Sequence, residues 1–136
     1  MHSRDLRIWV GLSVLFCIGS VAMAAAVTDS VGVIGDKTLV AWVRVADLDQ
    51  GGGSVLTMDD GAGGFDAIVF GELAARRWMP GSDGFRRTHR DQEAWPQEAA
   101  PPDVEVCLAV TYAGPETTVY RNGVVYARYT TPEPRR

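Results

Sequence analysis

The sequence predicts an all-β domain, an antiparallel sandwich or barrel, in the part of the chain after residue 36. Short apolar runs rich in Val, Thr, Tyr and Trp alternate with Gly, Pro and Asp, which is typical of strands separated by turns. No segment after residue 24 has the period of an amphipathic helix. Asn122-Gly123 between two β-rich arms is a strong hairpin signal. About eight short strands without a helix fit a sandwich or a barrel.

The first 24 residues predict a secretory signal peptide. A start with two arginines is followed by an apolar run that ends in Ala22-Met23-Ala24, a small-residue cleavage pattern. Residues 25–36 then form an N-terminal segment before the first strand. The apolar run is also about 20 residues long, the length that spans a bilayer, so an uncleaved anchor is the alternative. We expect a secreted, periplasmic or cell-surface bacterial protein, with no membrane contact beyond this segment.

Charge and cysteine content narrow the classes of partner. The chain has 17 acidic and 13 basic residues, and loss of residues 1–24 leaves 16 against 11, a net charge of −5. This acidic balance argues against nucleic acid as a partner. Cleavage would also leave Cys107 as the only cysteine, which predicts no internal disulfide. Its place in an apolar run indicates inert packing.

The first half of the domain contains four predicted strands. In "KTLVAWVRV" (37–45) the residues alternate, so that Leu39 and every second residue after it should meet the core while Trp42 lies on the other face. "SVLTM" (54–58) and "FDAIVFGE" (65–72) follow, separated by a turn. A short strand at "RRWM" (76–79) precedes Pro80 and the glycines after it.

The second half begins with a loop and ends with a hairpin. Residues 89–103 contain three prolines and no β pattern, which predicts a long surface loop. "VEVCLAVTY" (104–112) has the clearest strand alternation in the chain. "TTVYRNGVVYARYT" (117–130) predicts a hairpin with a type I′ turn, because Asn-Gly supplies two residues with positive φ.

Two of these segments carry a family resemblance. The Trp42 strand "TLVAWVRV" and the Tyr-x-Asn-Gly hairpin "VYRNGVVYARY" resemble laminin-G-like, concanavalin-A-like domains. "FDAIVFGE" and "RRWMPGSDGFRRT" add a likeness to modules of secreted bacterial, planctomycete-type proteins, some of which precede glycoside hydrolase family 32 catalytic domains. The resemblance implies an antiparallel jelly-roll β-sandwich over 37–131, with 132–136 as a tail.

The resemblance also has one departure. Such domains usually continue past the hairpin with another strand, whereas this sequence reaches "TPEPRR" directly. The resemblance therefore implies a sandwich that is incomplete at its C-terminal side, either as a minimal jelly roll or as a piece of a longer protein.

The sequence predicts no catalytic residues. Asp66 and Glu72 lie on one face of a predicted strand, but about 20 Å apart, too far for the paired carboxylates of a glycosidase. After cleavage His89 is the only histidine, and no serine lies in a G-x-S-x-G context. We expect no enzyme activity from this chain by itself.

One acidic segment is a candidate metal site. Asp59, Asp60 and Asp66 in "MDDGAGGFD" could supply oxygen ligands for calcium, since calcium takes carboxylates and carbonyls from flexible loops. The alternative is an ordinary turn, in which Asp and Gly are also the common residues. Calcium is the only cofactor that the sequence suggests.

The segment "RRWMPGSDGFRRT" (76–88) is the candidate ligand site. Arginine forks bind carboxylates and phosphates, and aromatic rings can stack on a sugar. The candidate ligand-binding residues are Trp78, Asp83, Arg86, Arg87 and Trp95. The favoured alternative is two strands joined by residues 80–84, with solvent-facing arginines paired to acidic neighbours.

These observations favour a secreted, non-catalytic binding or accessory module that recognises a glycan or a protein. One alternative is the N-terminal fragment of a glycoside hydrolase whose catalytic domain lies elsewhere. Another is a structural interaction domain at the cell surface.

Overall fold

The structure, a computed structural model, describes residues 34–131. These residues contain seven strands in two antiparallel sheets. The predicted signal peptide (1–24) and tail (132–136), and most of the N-terminal segment, lie outside these described residues. The strands are β1 Lys37–Val43, β2 Gly53–Asp59, β3 Phe65–Phe70, β4 Trp78–Ser82, β5 Val106–Ala113, β6 Glu116–Arg121 and β7 Val124–Thr130. Within residues 34–131, no helix has the length and hydropathy needed to cross a membrane.

The two sheets have the arrangement of a β-sandwich, which confirms the all-β prediction. The four-stranded sheet has the order β1-β5-β6-β7, and the three-stranded sheet has the order β2-β3-β4. All neighbouring strands are antiparallel. The predicted strands differ from the observed ones by a few residues at their ends, the usual uncertainty of element boundaries.

Strand β1 and the final hairpin form as predicted. Leu39 is buried at the core, whereas Trp42 on the opposite face is 67% exposed. Asn122 has φ 49° and Gly123 has φ 79°, so both central residues of the turn between β6 and β7 have the positive φ of a type I′ turn. The local sequence signals were therefore sufficient to predict β1 and the β6–β7 hairpin.

Strand β3 is buried on both of its faces. Its inner face, with Ile68 and Phe70, packs on the four-stranded sheet in the main core. Its outer face, with Ala67 and Val69, forms a second cluster with Met79 of β4. The outer side of the three-stranded sheet is therefore covered as well.

That covering layer is the segment from residue 86 to 105, which we call the covering loop. Trp95 packs against the outer cluster, and Gln92 is only 1% exposed. The Glu98 amide donates to the Arg76 carbonyl at 2.7 Å, and the Tyr126 hydroxyl of β7 donates to the Pro96 carbonyl. The loop thus lies against β4 and reaches β7, the neighbouring edges of the two sheets.

The segment around β4 differs from the prediction. Trp78 and Met79 are fully buried, and the predicted turn residues Pro80-Gly81-Ser82 continue the strand. Proline fits here because β4 is an edge strand, where a missing N–H costs no ladder hydrogen bond. The chain then turns through a 3₁₀ turn at Asp83–Phe85, and no described residue from 86 to 105 forms the predicted second strand.

Gly81 tests the packing of the outer cluster. A Cβ atom added there would lie 2.7 Å from Val69 Cγ2 and 3.4 Å from Ala67 Cβ. We expect Gly81→Val to lower the free energy of unfolding by about 1 to 3 kcal/mol, because overpacking displaces neighbouring side chains. Gly51→Ala is the control, since nothing lies within 4 Å of its added Cβ. Denaturant unfolding of both variants measures the difference, and equal losses would contradict this packing.

Candidate functional site

Arg87 of the predicted ligand stretch is bound within the protein. Its Nε donates to Asp66 Oδ1 at 3.0 Å, and its Nη2 donates to Asp83 Oδ1 at 2.6 Å and to the Phe65 carbonyl at 2.8 Å. The guanidinium is largely buried. Burial would raise the pKa of Asp83, but the hydrogen bond and charge of Arg87, together with the charge of Arg86, lower it. All these partners belong to the chain itself, so Arg87 ties the 3₁₀ turn to β3.

A lysine completes this buried cluster from the other sheet. Lys37 Nζ of β1 lies 2.6 Å from Asp66 Oδ2, and the two side chains are 8% and 5% exposed. Lys37 also lies over the Tyr112 ring, 5.3 Å from its centroid. Two cations and two carboxylates therefore balance one another between the sheets. Asp66 is turned inward and fully engaged by this cluster.

The three aspartates predicted for calcium do not come together. The Asp59 carboxylate accepts the Gly61 amide, and the Asp60 carboxylate accepts the amides of Ala62 and Gly64. These contacts are those of a turn, and they lower the pKa of Asp60. Among residues 34–131, no group of three His, Cys, Asp or Glu side chains is placed to hold a metal ion.

Trp78, the first aromatic candidate, has no surface open to a ligand. Its side chain is fully buried in the main core and lies 4.6 Å from the Phe70 ring centroid. Its Nε1 donates to Glu98 Oε2 at 2.7 Å. Arg121 of β6 donates to both oxygens of the same carboxylate, at 2.8 and 2.7 Å. Glu98 of the covering loop thus joins one residue of each sheet.

The environment of Glu98 favours its charged form. Burial would raise the pKa of this carboxyl, but the hydrogen bonds from Arg121, Trp78 and the Ala100 amide, together with the Arg121 charge, outweigh burial. The pKa falls from 4.5 to about 2. Glu98 is not among the residues predicted from the sequence, because a lone glutamate in a proline-rich loop gives no sign of burial.

The remaining candidates have surroundings that differ from those of Trp78. Arg86 is exposed, with its Nε 3.6 Å from Asp83 Oδ2. Trp95 is half-buried and stacks against His89 and Tyr129, at centroid distances of 5.7 and 6.0 Å. The structure therefore brings Asp83, Arg86 and Arg87 together at the 3₁₀ turn. Trp78 is buried in the core, and Trp95 packs in the covering loop.

A different surface carries exposed aromatic and apolar groups: the outer side of the four-stranded sheet. We call it the outer aromatic face. Trp42, Val125 and Val40 are 67%, 50% and 41% exposed. In the strand register Trp42 pairs with Cys107, and a row across the sheet joins Val40, Ala109, Tyr120 and Val125. Cys107, Ala109 and Tyr120 are half-buried. Unlike the outer side of the three-stranded sheet, this face has no covering segment among residues 34–131.

The polar groups around this face are already paired. Thr38 and Thr111 hydroxyls lie 3.3 Å apart. Arg44 lies 3.9 Å from Glu105, and Arg128 lies 3.8 Å from Glu116. The charges at the border of the outer aromatic face therefore come in opposite pairs. The sequence already placed Trp42 on the non-core side of β1, and that was the available signal for this surface.

Comparison of the chain with protein-family models, with curated proteins and with solved structures finds no significant match.

Glu98→Gln tests the buried carboxylate. Because the folded pKa lies below the unfolded value, the stabilisation is complete above about pH 5 and is lost as pH falls from 4.5 through about 2. We expect Glu98→Gln to lose on the order of 2 to 3 kcal/mol at pH 7 and to approach the wild type near pH 2. Glu93→Gln is the control, since that side chain is 83% exposed. Unfolding between pH 2 and 7 measures this, and parallel curves for Glu98→Gln and wild type would contradict it.

Asp66→Asn tests the cluster between the sheets. The substitution leaves Lys37 and Arg87 as buried cations without their shared carboxylate. We expect a loss of about 3 to 5 kcal/mol in the free energy of unfolding. Asp91→Asn should change it by less than about 0.5 kcal/mol, because Asp91 is exposed. A similar small effect for both variants in denaturant unfolding would show that the cluster contributes little.

Proposed function

We propose that the chain is a non-catalytic binding module that holds a neutral glycan on the outer aromatic face. The observation that carries the proposal is Trp42, which is 67% exposed in a domain that buries Trp78 completely. Exposed apolar patches on soluble proteins often mark interaction sites. Secretion through the predicted signal peptide, which would bring the module to extracellular polysaccharides, is part of the same proposal.

The aromatic residues support a sugar as the ligand. Indole and phenol rings offer a flat apolar body with a polar edge, and sugar rings present C–H groups on one face and hydroxyls at their edge. Trp42 and Tyr120 lie two strands and two residues apart in the register. Sheet geometry then separates them by about 12 Å, which suits contacts along an extended chain rather than one small molecule.

The charge pattern supports a neutral ligand. The ions bordering the outer aromatic face are paired, with Arg44 close to Glu105 and Arg128 close to Glu116. An anionic or cationic polymer would have to disrupt these pairs or face equal charges of its own sign. A neutral polymer needs only stacking surface and hydroxyl partners, and Thr38 and Thr111 supply hydroxyls at one end of the face.

We further propose that the sandwich is a short jelly roll of the laminin-G and concanavalin-A type. Its support is the strand order β1-β5-β6-β7, in which three hairpin-connected strands have an earlier strand beside the first of them. The chain therefore passes from one sheet to the other and back between β1 and β5, as it does in double-sheet jelly rolls. The Trp42 strand and the Asn122-Gly123 hairpin, which carry the family resemblance, both lie in this sheet.

Trp42→Ala tests the proposed function. We expect it to raise the Kd for neutral polysaccharide, measured as lower retention in affinity electrophoresis, by about tenfold, because one central aromatic contact is removed. Val124→Ala is the matched control, as Val124 is 70% exposed but sits at the hairpin turn. Circular dichroism checks that both variants fold.

Arg86→Ala separates this face from the arginine-rich stretch. Arg86 is the most exposed of the candidate arginines around the 3₁₀ turn, so the change should leave the fold intact. Unchanged retention agrees with the proposal. Retention that is lost in Arg86→Ala and kept in Trp42→Ala would move the site to residues 83–87 and overturn it.

A further inference from the structure

The sandwich has four edge strands, and three of them carry devices that prevent pairing with another chain. Strand β2 has a register break between Ser54 and Leu56. Strand β4 contains Pro80 and lies beside the covering loop. Strand β7 has an extra residue, Tyr126, at a register break, and its hydroxyl is bound to the loop. Bulges, prolines and covering loops are the usual protections of sheet edges.

Strand β1 has none of these protections. Its seven residues pair with β5 in an unbroken register from Lys37↔Tyr112 to Val43↔Val106. The strand contains no proline and no glycine, and its one charged residue, Lys37, is turned inward to Asp66. Among the described residues, β1 pairs with β5 alone. Its other edge therefore presents backbone donors and acceptors that favour the addition of a strand.

The sequence of β1 is complementary to itself in one antiparallel register. Directly opposed residues in such a pair share a face, so a two-fold axis must place one residue opposite its own copy. With Val40 on the axis all seven residues of β1 are paired. Thr38 then lies opposite Trp42 of the second copy on the outer side, and Leu39 lies opposite Ala41 on the core side.

The same register pairs opposite charges at both ends. Asp36 precedes β1 and Arg44 follows it. With Val40 on the axis, Asp36 of each copy lies opposite Arg44 of the other. Arg44 has its side chain 63% exposed and lies 3.9 Å from Glu105, so Asp36 of the second copy would add a second carboxylate to this pair. Cross-strand pairs of opposite charge stabilise a register, and no like charges oppose one another here.

We propose that two copies of the chain pair through β1, antiparallel about Val40, to form one continuous eight-stranded sheet. This goes beyond the proposed glycan binding, which needs only the outer aromatic face of one copy. In the pair the two outer aromatic faces join across the axis, with both Trp42 side chains near the junction.

Val40→Lys tests the pairing. The substitution places two lysines directly opposite each other on the axis, while Val40 is 41% exposed and tolerates the change in a single copy. The full chain is studied by sedimentation equilibrium in a mild detergent, because residues 8–27 are apolar. We expect a dimer for the wild type and a dimer Kd raised at least about tenfold for Val40→Lys. A wild-type chain that stays monomeric, or a variant that dimerises equally well, overturns the proposal.

Disulfide trapping tests the register. In a chain with Cys17→Ser and Cys107→Ser, Val40→Cys should form a cross-linked dimer on mild oxidation, because opposed residues of paired strands lie within disulfide reach. Val124→Cys is the matched control, more exposed but far from β1, and should not cross-link. Equal cross-linking of the two variants overturns the proposal.

Discussion

The arrangement of this domain depends on the hydrogen bonds that the buried Glu98 carboxylate accepts. It lies in the covering loop, which has no regular secondary structure, and it accepts hydrogen bonds from Trp78 of one sheet and Arg121 of the other. A segment without strand ladders needs other partners for its backbone and other reasons to stay in place. One buried charge with fixed donors supplies both, since it also accepts the amides of Ala99 and Ala100.

Fixing the covering loop has consequences on both sides of the sandwich. The three-stranded sheet can use both faces of β3 for apolar side chains, because the loop seals its outer side. The four-stranded sheet receives no such cover in the described part of the chain. Within residues 34–131 the domain therefore has one covered face and one uncovered face, and the uncovered face carries Trp42. Binding surfaces on sandwich domains need such an uncovered region on a rigid support.

The sequence was informative wherever the deciding signals were local. Alternation in β1 and β5 and the Asn122-Gly123 turn need only neighbouring residues, and all three form as expected. Strand β4 was predicted too early in the chain, at residues 76–79, because Pro80-Gly81-Ser82 has the composition of a turn. What makes it a strand is non-local: an edge position and the Val69 side chain, which lies against Gly81.

The surroundings of the candidate site residues differ from their sequence grouping for a related reason. Asp66 was grouped with Asp59 and Asp60 because they are close in sequence, yet the two-residue period of β3 turns Asp66 inward to Lys37. Arg87 was grouped with Arg86 as a ligand group, yet its partners come from β3 and the 3₁₀ turn. Pairings across two sheets have no fixed sequence spacing, so no pattern in one sequence predicts them.

The affinity of the outer aromatic face for a ligand depends on which groups of the chain are not already paired. Arg77 and Arg87 of the arginine-rich stretch donate to carbonyls and carboxylates of the chain, so these donors are not open to a ligand. Stacking on a single Trp42 would contribute only modest affinity. If β1 joins two copies, a polymer that touches one outer aromatic face meets the second at high effective concentration. The open edge and the open face lie next to each other on β1, so the same strand can serve assembly through its backbone and recognition through its outward side chains.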